Sequence, residues 1–279
     1  MSRRLRLDAE LVRRGLARSR EQASDLIAQG RVSVAGARAS KPATQVTTDQ
    51  PIVVRDAEDD PGYASRGAYK LLGALEAFEP LGLTVTGRRC LDAGASTGGF
   101  TDVLLRRGVR EVVAVDVGYG QLVWALQQDP RVDVHDRTNV RDLDTATIGG
   151  PVELVVSDLS FISLTLVMPA LARVCADDGD MVLMVKPQFE VGKDRVGKKG
   201  VVRDPDLHVE AVLGVCAAAA AVGWGTRAVA ASPLPGPTGN VEYFGWFRRD
   251  AAPVTEADVR AAVDAGPLGR PRGGGSDEH

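Results

Sequence analysis

Apolar positions along this chain follow two different rhythms. Near the start, Leu5, Leu7, Leu11, Val12 and Leu16 fall at helical spacing, with Arg13, Arg14 and Arg18 between them. That spacing predicts a short helix with a basic outer face. Ser19 is a good N-cap for a second helix over Arg20–Gln29, and Gly30 is a good stop. Arg31 to Val34 then alternates like a strand, Ala35-Gly36 reads as a turn, and Ile52 to Val54 as a closing strand.

From Ser65 onward, short apolar runs alternate with helical patterns. The predicted strands cover Arg88–Leu91, Val112–Asp116, Val132–His135, Leu154–Ser157 and Met181–Val185, followed by Arg227–Ala231 and Val241–Phe247. The predicted helices cover Arg66–Phe78, Phe100–Arg107, Gln121–Gln128, Leu164–Val174 and Leu207–Val222. This alternation predicts an α/β domain with a mostly parallel sheet covered on both faces. The last two strands have no helix between them and are expected to pair antiparallel. A weak helix is predicted over Thr255–Ala265, ahead of a Gly-, Pro- and Arg-rich end.

These patterns divide the chain into a small α+β domain over residues 1–60, a linker at 61–64 that overlaps the charged Asp56–Gly62 stretch, and a large domain over 65–250. Residues 251–279 are expected to be a disordered tail. Charge sharpens the division. The formal net charge of the 279 residues is −3, but residues 1–50 hold ten Lys/Arg and five Asp/Glu, a net of +5 against −8 elsewhere. The basic end therefore reads as a separate object. Cys90, Cys175 and Cys216 form neither a disulfide framework nor a metal knuckle, which fits a reducing cytoplasm. No signal peptide is expected behind Arg3-Arg4-Leu5-Arg6. The apolar run from Ala211 to Trp224 falls short of the roughly 20 residues a membrane span needs.

The sharpest local signal is Leu91-Asp92-Ala93-Gly94-Ala95-Ser96-Thr97-Gly98-Gly99-Phe100 at the end of the first large-domain strand. Glycines there let backbone amides approach a ligand before a helix N-terminus. The Gly-x-x-x-Gly-Gly spacing is not that of pyrophosphate-binding loops. Asp116 ends the second strand, where an acid accepts hydrogen bonds from ribose hydroxyls. A nucleoside without pyrophosphate, carrying a sulfonium and an amino-acid tail, suits this set: S-adenosyl-L-methionine. Asp92, Gly94, Ser96, Gly98, Gly99, Phe100 and Asp116 are the candidate cofactor residues, with Asn139 near the adenine. A plain βα turn needing glycines for close packing is the alternative.

Four polar residues stand where a purely structural sheet needs none: Lys70 in Ser65-Arg66-Gly67-Ala68-Tyr69-Lys70-Leu71, Asp158 in Ser157-Asp158-Leu159-Ser160-Phe161, Lys186 in Val185-Lys186-Pro187-Gln188-Phe189-Glu190, and Glu242 in Asn240-Val241-Glu242-Tyr243-Phe244. Open α/β sheets bind ligands beyond the carboxyl ends of their strands, and these residues are expected to converge there. The four resemble the Lys-Asp-Lys-Glu tetrad of FtsJ-like ribose 2′-O-methyltransferases, and the segments around them resemble the TlyA branch. That branch joins a domain like ribosomal protein S-four to a Rossmann-like class I methyltransferase. The resemblance covers roughly residues 3–249. It implies methyl transfer to cytidine ribose in ribosomal RNA of both subunits, with Lys70, Asp158, Lys186 and Glu242 catalytic and Lys186 the base. Free lysine, with a pKa near 10.4, is protonated at neutral pH, so such a base depends on its neighbours. The target nucleotide is expected to leave its stack, and Phe161, Phe189 and Tyr243 are each candidates either to stack on it or to pack in the core.

The N-terminal pattern also resembles the S-four-like helix pair and following strand. Arg4, Arg6, Arg14, Arg18, Arg20 and Arg31 are its candidate phosphate contacts, with few aromatics for base stacking. A second basic stretch, Lys193 to Arg203, adds Lys193, Lys198 and Lys199 as an RNA clamp or a surface loop. No metal site is expected, and the oligomeric state stays open. Two rival readings remain: a non-catalytic RNA-binding assembly factor, and the membrane-active haemolysin after which this branch is named. The sequence offers no strongly amphipathic basic-aromatic helix for the latter.

Overall fold

The computed structural model describes residues 4–54, 62–197, 200–236 and 238–267. The chain divides into two compact units, meeting between Arg66 and Gly67.

The first unit opens on a strand rather than on a helix. β1 (Arg4–Arg6) precedes α1 (Leu7–Arg13), then α2 (Arg20–Ala28), β2 (Val32–Val34), β3 (Ala37–Arg38), β4 (Gln45–Thr47) and β5 (Ile52–Val54). The helix predicted from Leu5 therefore begins two residues later. Leu5 stands opposite Val46 in an antiparallel β1–β4 pair, and the Leu7 amide donates to the Thr44 carbonyl at 2.8 Å. Alternation over three residues could not be distinguished from a helical turn in the sequence; the distant partner β4 decides it. Ser19 caps α2 as predicted, accepting from the Gln22 amide. β2, β3 and β5 form an antiparallel sheet. Ala35 and Gly36 both have positive φ, as a tight two-residue hairpin of matching twist requires. Leu7, Leu11, Ala23, Ile27, Val32 and Val46 make the unit's core.

Beneath this core's polar edge lies Glu10, fully buried and held by Arg13 and Arg14 at 2.6 and 2.7 Å. The Arg13 guanidinium holds the Glu10 carboxyl down to about 2 against the burial that opposes it. A carboxylate with a depressed folded-state pKa stabilises the fold above its unfolded value and loses that contribution on acidification. The N-terminal unit is expected to lose stability as pH falls from about 4.5 toward 2. Denaturant melts of Glu10→Gln across that range should show a weaker pH dependence than the parent protein.

The second unit begins with α3 (Gly67–Phe78) and continues β6 (Arg89–Ala93), α4 (Gly99–Arg106), β7 (Glu111–Val115), α5 (Trp124–Gln127) and β8 (Val132–His135). β9 (Val152–Ser157), α6 (Leu164–Val174), β10 (Cys175–Val185), α7 (Pro187–Glu190), α8 (Pro205–Ala221), β11 (Gly225–Ala231), β12 (Tyr243–Arg248) and α9 (Glu256–Ala265) complete it. The seven strands run in the order β11-β12-β10-β9-β6-β7-β8. β10, β9, β6, β7 and β8 are parallel neighbours, and β12 is antiparallel to both β10 and β11. Nearly every residue of β6, β7, β9 and β10 is buried, as a sheet covered on both faces demands. Two elements differ in length from the sequence reading. α5 is a single turn, and β10 starts at Cys175, six positions before the predicted strand, with a register shift between Cys175 and Asp180.

Parallel register aligns the strand ends that matter. Ala93 pairs with both Val115 and Ser157, Leu183 with Ser157, and Val185 with Tyr243. Gly94, Asp116, Asp158, Lys186 and Glu242 all lie immediately past this one edge.

The expected disordered tail over 251–279 is corrected for its first part. Thr255 and Asp258 form a capping box, and α9 packs on α8 and β11 with Val259 and Val263 buried in the main core. Only two apolar side chains anchor it, which is why the sequence signal is weak. The end of the tail, from residue 268, lies outside the described residues. Val263→Ala is expected to destabilise the protein by about 2 kcal/mol in urea unfolding, the cost of removing a buried branched side chain. A disordered segment would show no change.

Candidate active site

Each tetrad residue owes its place to a different element. Lys70 rises from the first turn of α3, Asp158 and Lys186 follow β9 and β10, and Glu242 immediately precedes β12. Together they form a continuous chain of charge. Lys186 Nζ lies 2.6 Å from Asp158 Oδ1, Lys70 Nζ lies 3.7 Å from Asp158 Oδ2, and Lys70 Nζ donates to Glu242 Oε2 at 2.6 Å. Lys70, Lys186 and Glu242 are buried, and Asp158 is partly open. Two cations and two anions in alternation satisfy one another where single buried charges would be costly.

Asp158 also borders a cavity of about 470 Å³, whose wall includes Gly94, Ser96, Asp116 and Asn139. Gly94 has φ +89°, and a Cβ there would stand 2.9 Å from the Asp158 carbonyl oxygen. A side chain at Gly94 would therefore be both strained and crowded against the loop that carries Asp158. Asp116 is pre-oriented: one oxygen accepts the Ser96 amide at 2.9 Å and the other the Gly118 amide at 2.7 Å. The Asn139 side chain caps the turn after β8, accepting the Arg141 amide.

Four predicted cofactor residues do not line this cavity. Asp92 is fully buried at the end of β6, Gly98 and Gly99 begin α4, and Phe100 packs against Phe244 in the core at 6.1 Å between ring centroids. Phe100 thus packs in the core. Tyr243, a candidate stacking residue, is likewise fully buried, its ring edge-on to His208. Phe161 is 92% exposed, with its ring 5.4 Å from that of Phe189. Leu159, Ser160 and Ile162 also line the cavity. They belong to the motif around Asp158, yet nothing in their spacing marked them as wall residues.

The candidate phosphate contacts fare unequally. Arg4 is exposed on β1. Arg6 and Arg20 both pair with Asp8, at 3.0 and 2.9 Å, and Arg18 donates to the Tyr63 carbonyl at 3.2 Å. Arg31 is half-buried. Arg14 is committed to its own fold, bonding Glu10 and the carbonyls of Thr48 and Gln50. Lys193 is exposed in the second unit, and Lys198 and Lys199 lie outside the described residues. Among the described residues, no group of His, Cys, Asp or Glu is arranged to hold a metal ion.

Asp92 carries the strongest electrostatic strain near the cavity. Its Oδ2 accepts from Thr101 Oγ at 2.7 Å, but Oδ1 has no partner among the described residues. Burial pushes its carboxyl up to about 7, partly offset by the Thr101 hydrogen bond. A carboxylate raised in the folded state favours folding below its unfolded pKa, and that contribution disappears as pH rises through the folded value. Stability is therefore expected to fall between about pH 4 and 7, and Asp92→Asn should flatten this slope in denaturant melts.

Comparisons with known proteins agree with this architecture. The FtsJ-like methyltransferase family matches residues 63–249, and the S4 domain matches residues 5–52. The 16S/23S rRNA (cytidine-2′-O)-methyltransferase TlyA of Mycobacterium tuberculosis is 57% identical over 273 residues, covering 96% of this chain and all of that protein. Hemolysin A of Brachyspira hyodysenteriae is 35% identical over 87% of this chain and 99% of its own. A solved structure from Streptococcus thermophilus, also described as a hemolysin, superimposes with a TM-score of 0.74 at 35% identity, covering 94% of this chain and 95% of its own. An S4 domain followed by an FtsJ-like methyltransferase domain, with identity sustained over nearly the whole length, establishes that this chain belongs to the TlyA family.

Proposed function

We propose that this chain is an S-adenosylmethionine-dependent methyltransferase acting on the ribose 2′-hydroxyl of cytidines in small- and large-subunit ribosomal RNA, in the cytoplasm. The observation that carries this reading is the Lys186–Asp158–Lys70–Glu242 chain at the mouth of a nucleoside-sized cavity. A binding factor that had abandoned catalysis would have no use for two buried lysines held by two acids. The S4 domain and the relatives named for rRNA methylation support the substrate class.

The cavity residues fit the cofactor. Asp116, already fixed by two amides, has acceptor capacity left for ribose hydroxyls. Gly94 gives close backbone approach. Asn139 and Val140 border the part of the cavity suited to the base. When bound, the cofactor supplies a methyl group activated by its sulfonium. Lys186 takes the proton of the attacking 2′-hydroxyl, Asp158 orients the amine, and Lys70 with Glu242 holds Asp158 in place. Much of the rate comes from holding the hydroxyl in line with the methyl group. Phe161, exposed at the cavity edge, is the aromatic surface available to an unstacked base. Arg4, Arg18 and Lys193 add phosphate contacts at exposed positions.

No helix among the described residues is long and apolar enough to cross a membrane. The decisive experiment is tritiated-methyl transfer to isolated ribosomal subunits followed by mapping of the modified ribose. Lys186→Ala is expected to lose about 100-fold or more in rate while still binding cofactor; full activity in that variant would remove Lys186 from its role as base.

A further inference from the structure

The amine of Lys186 has an ion-pair partner in the tetrad but donates its hydrogen bond outside it. Lys186 Nζ stands 2.6 Å from Asp158 Oδ1 as an ion pair, and donates to Ser160 Oγ at 2.9 Å. Ser160 is also part of the cavity wall. Lys186 is only 6% exposed, so these two contacts dominate the surroundings of its nitrogen.

A neutral amine has two hydrogens and one lone pair. The non-directional ion pair with Asp158 alone leaves the hydrogens and the lone pair free to exchange places by rotation. An amine with that freedom turns an N–H toward the substrate hydroxyl oxygen and donates where it must accept. A directional acceptor removes the freedom. With one hydrogen committed to Ser160 and the Asp158 carboxylate drawing the other by charge, the lone pair takes the remaining position.

The loop that carries Ser160 is braced for this task. At one end the Asp158 amide donates to the Ala93 carbonyl at 3.2 Å. At the other, Glu190 Oε1 accepts the Leu164 amide at 2.8 Å and Glu190 Oε2 accepts from Ser163 Oγ at 2.5 Å. Glu190 lies in α7, which follows Lys186 directly, so Asp158, Ser160 and the amine belong to mutually pinned segments. The Phe161–Phe189 ring contact adds a third tie between them.

We infer that Ser160 is a positioning residue that, together with Asp158, aims the lone pair of Lys186 at the 2′-hydroxyl. The inference rests on Lys186 being the base. The test measures methyl transfer from S-adenosylmethionine to ribosomal subunits for the parent protein, Ser160→Ala, Ser160→Thr and Lys186→Ala, with thermal melts of each.

Ser160→Ala is expected to lower kcat roughly tenfold, with KM for RNA and cofactor and the melting temperature unchanged, while Ser160→Thr, which keeps the hydroxyl, restores most of the rate. An unchanged kcat in Ser160→Ala overturns the inference. So does a loss that appears in KM or in the melting temperature, or a Ser160→Thr variant as slow as Ser160→Ala. If Lys186→Ala keeps its activity, the base assignment itself fails; if it is inactive while Ser160→Ala is normal, only the role of Ser160 fails.

Discussion

The site depends on one constraint: the shared register of four neighbouring strands. β6, β9 and β10 are parallel, and β12 returns antiparallel against β10, so three strand ends and one strand beginning meet at one edge. Each strand is buried on both faces, so slipping any one by a residue would swap the side chains packed against its two faces and break the packing of both. Hydrophobic packing thereby fixes where the polar residues at the strand ends must stand. Lys70 and Glu242 meet at 2.6 Å although 172 positions separate them in the chain.

The two ends of this sheet handle buried charge in different ways. At the end opposite the cavity, Asp180 is fully buried and its oxygens are engaged by Trp246 Nε1 at 2.6 Å and by Arg88 and Arg248. That arrangement is saturated and has no capacity left for a ligand. At the cavity end, Asp92 Oδ1 and Glu242 Oε1 are buried without a hydrogen-bond partner among the described residues. Unsatisfied polar atoms are costly in a protein interior, and a fold tolerates them where a substrate or cofactor completes the set.

A similar distinction runs through the arginines of the N-terminal unit. Arg14 serves the fold, Arg6 and Arg20 neutralise Asp8, and Arg4 stands exposed. A basic segment is thus partly scaffold and partly surface, and its net charge overstates the number of cations available to phosphate. Asp8 is itself buried and Arg6, with Arg20, holds its carboxyl down to about 2, so turning these arginines to phosphate would leave a buried carboxylate unpaired.

The motifs were legible in the sequence because they answer local demands. Glycine at position 94, an acid at 116, an N-cap at Ser19 and apolar strands of even length follow from backbone geometry and burial over a few neighbouring residues. The α/β alternation and the antiparallel return of the last strands were legible for the same reason. Tertiary structure alone decided that Leu5 lies in a strand, because its partner Val46 is remote in sequence. It decided that α9 docks through Val259 and Val263, that Phe100 and Tyr243 belong to the core, and that Arg14 is an internal clamp. It also placed Ser160 on Lys186. Chain chemistry specifies which groups are present and which turns they permit; which cation meets which anion is set by strand register, a property of the whole sheet.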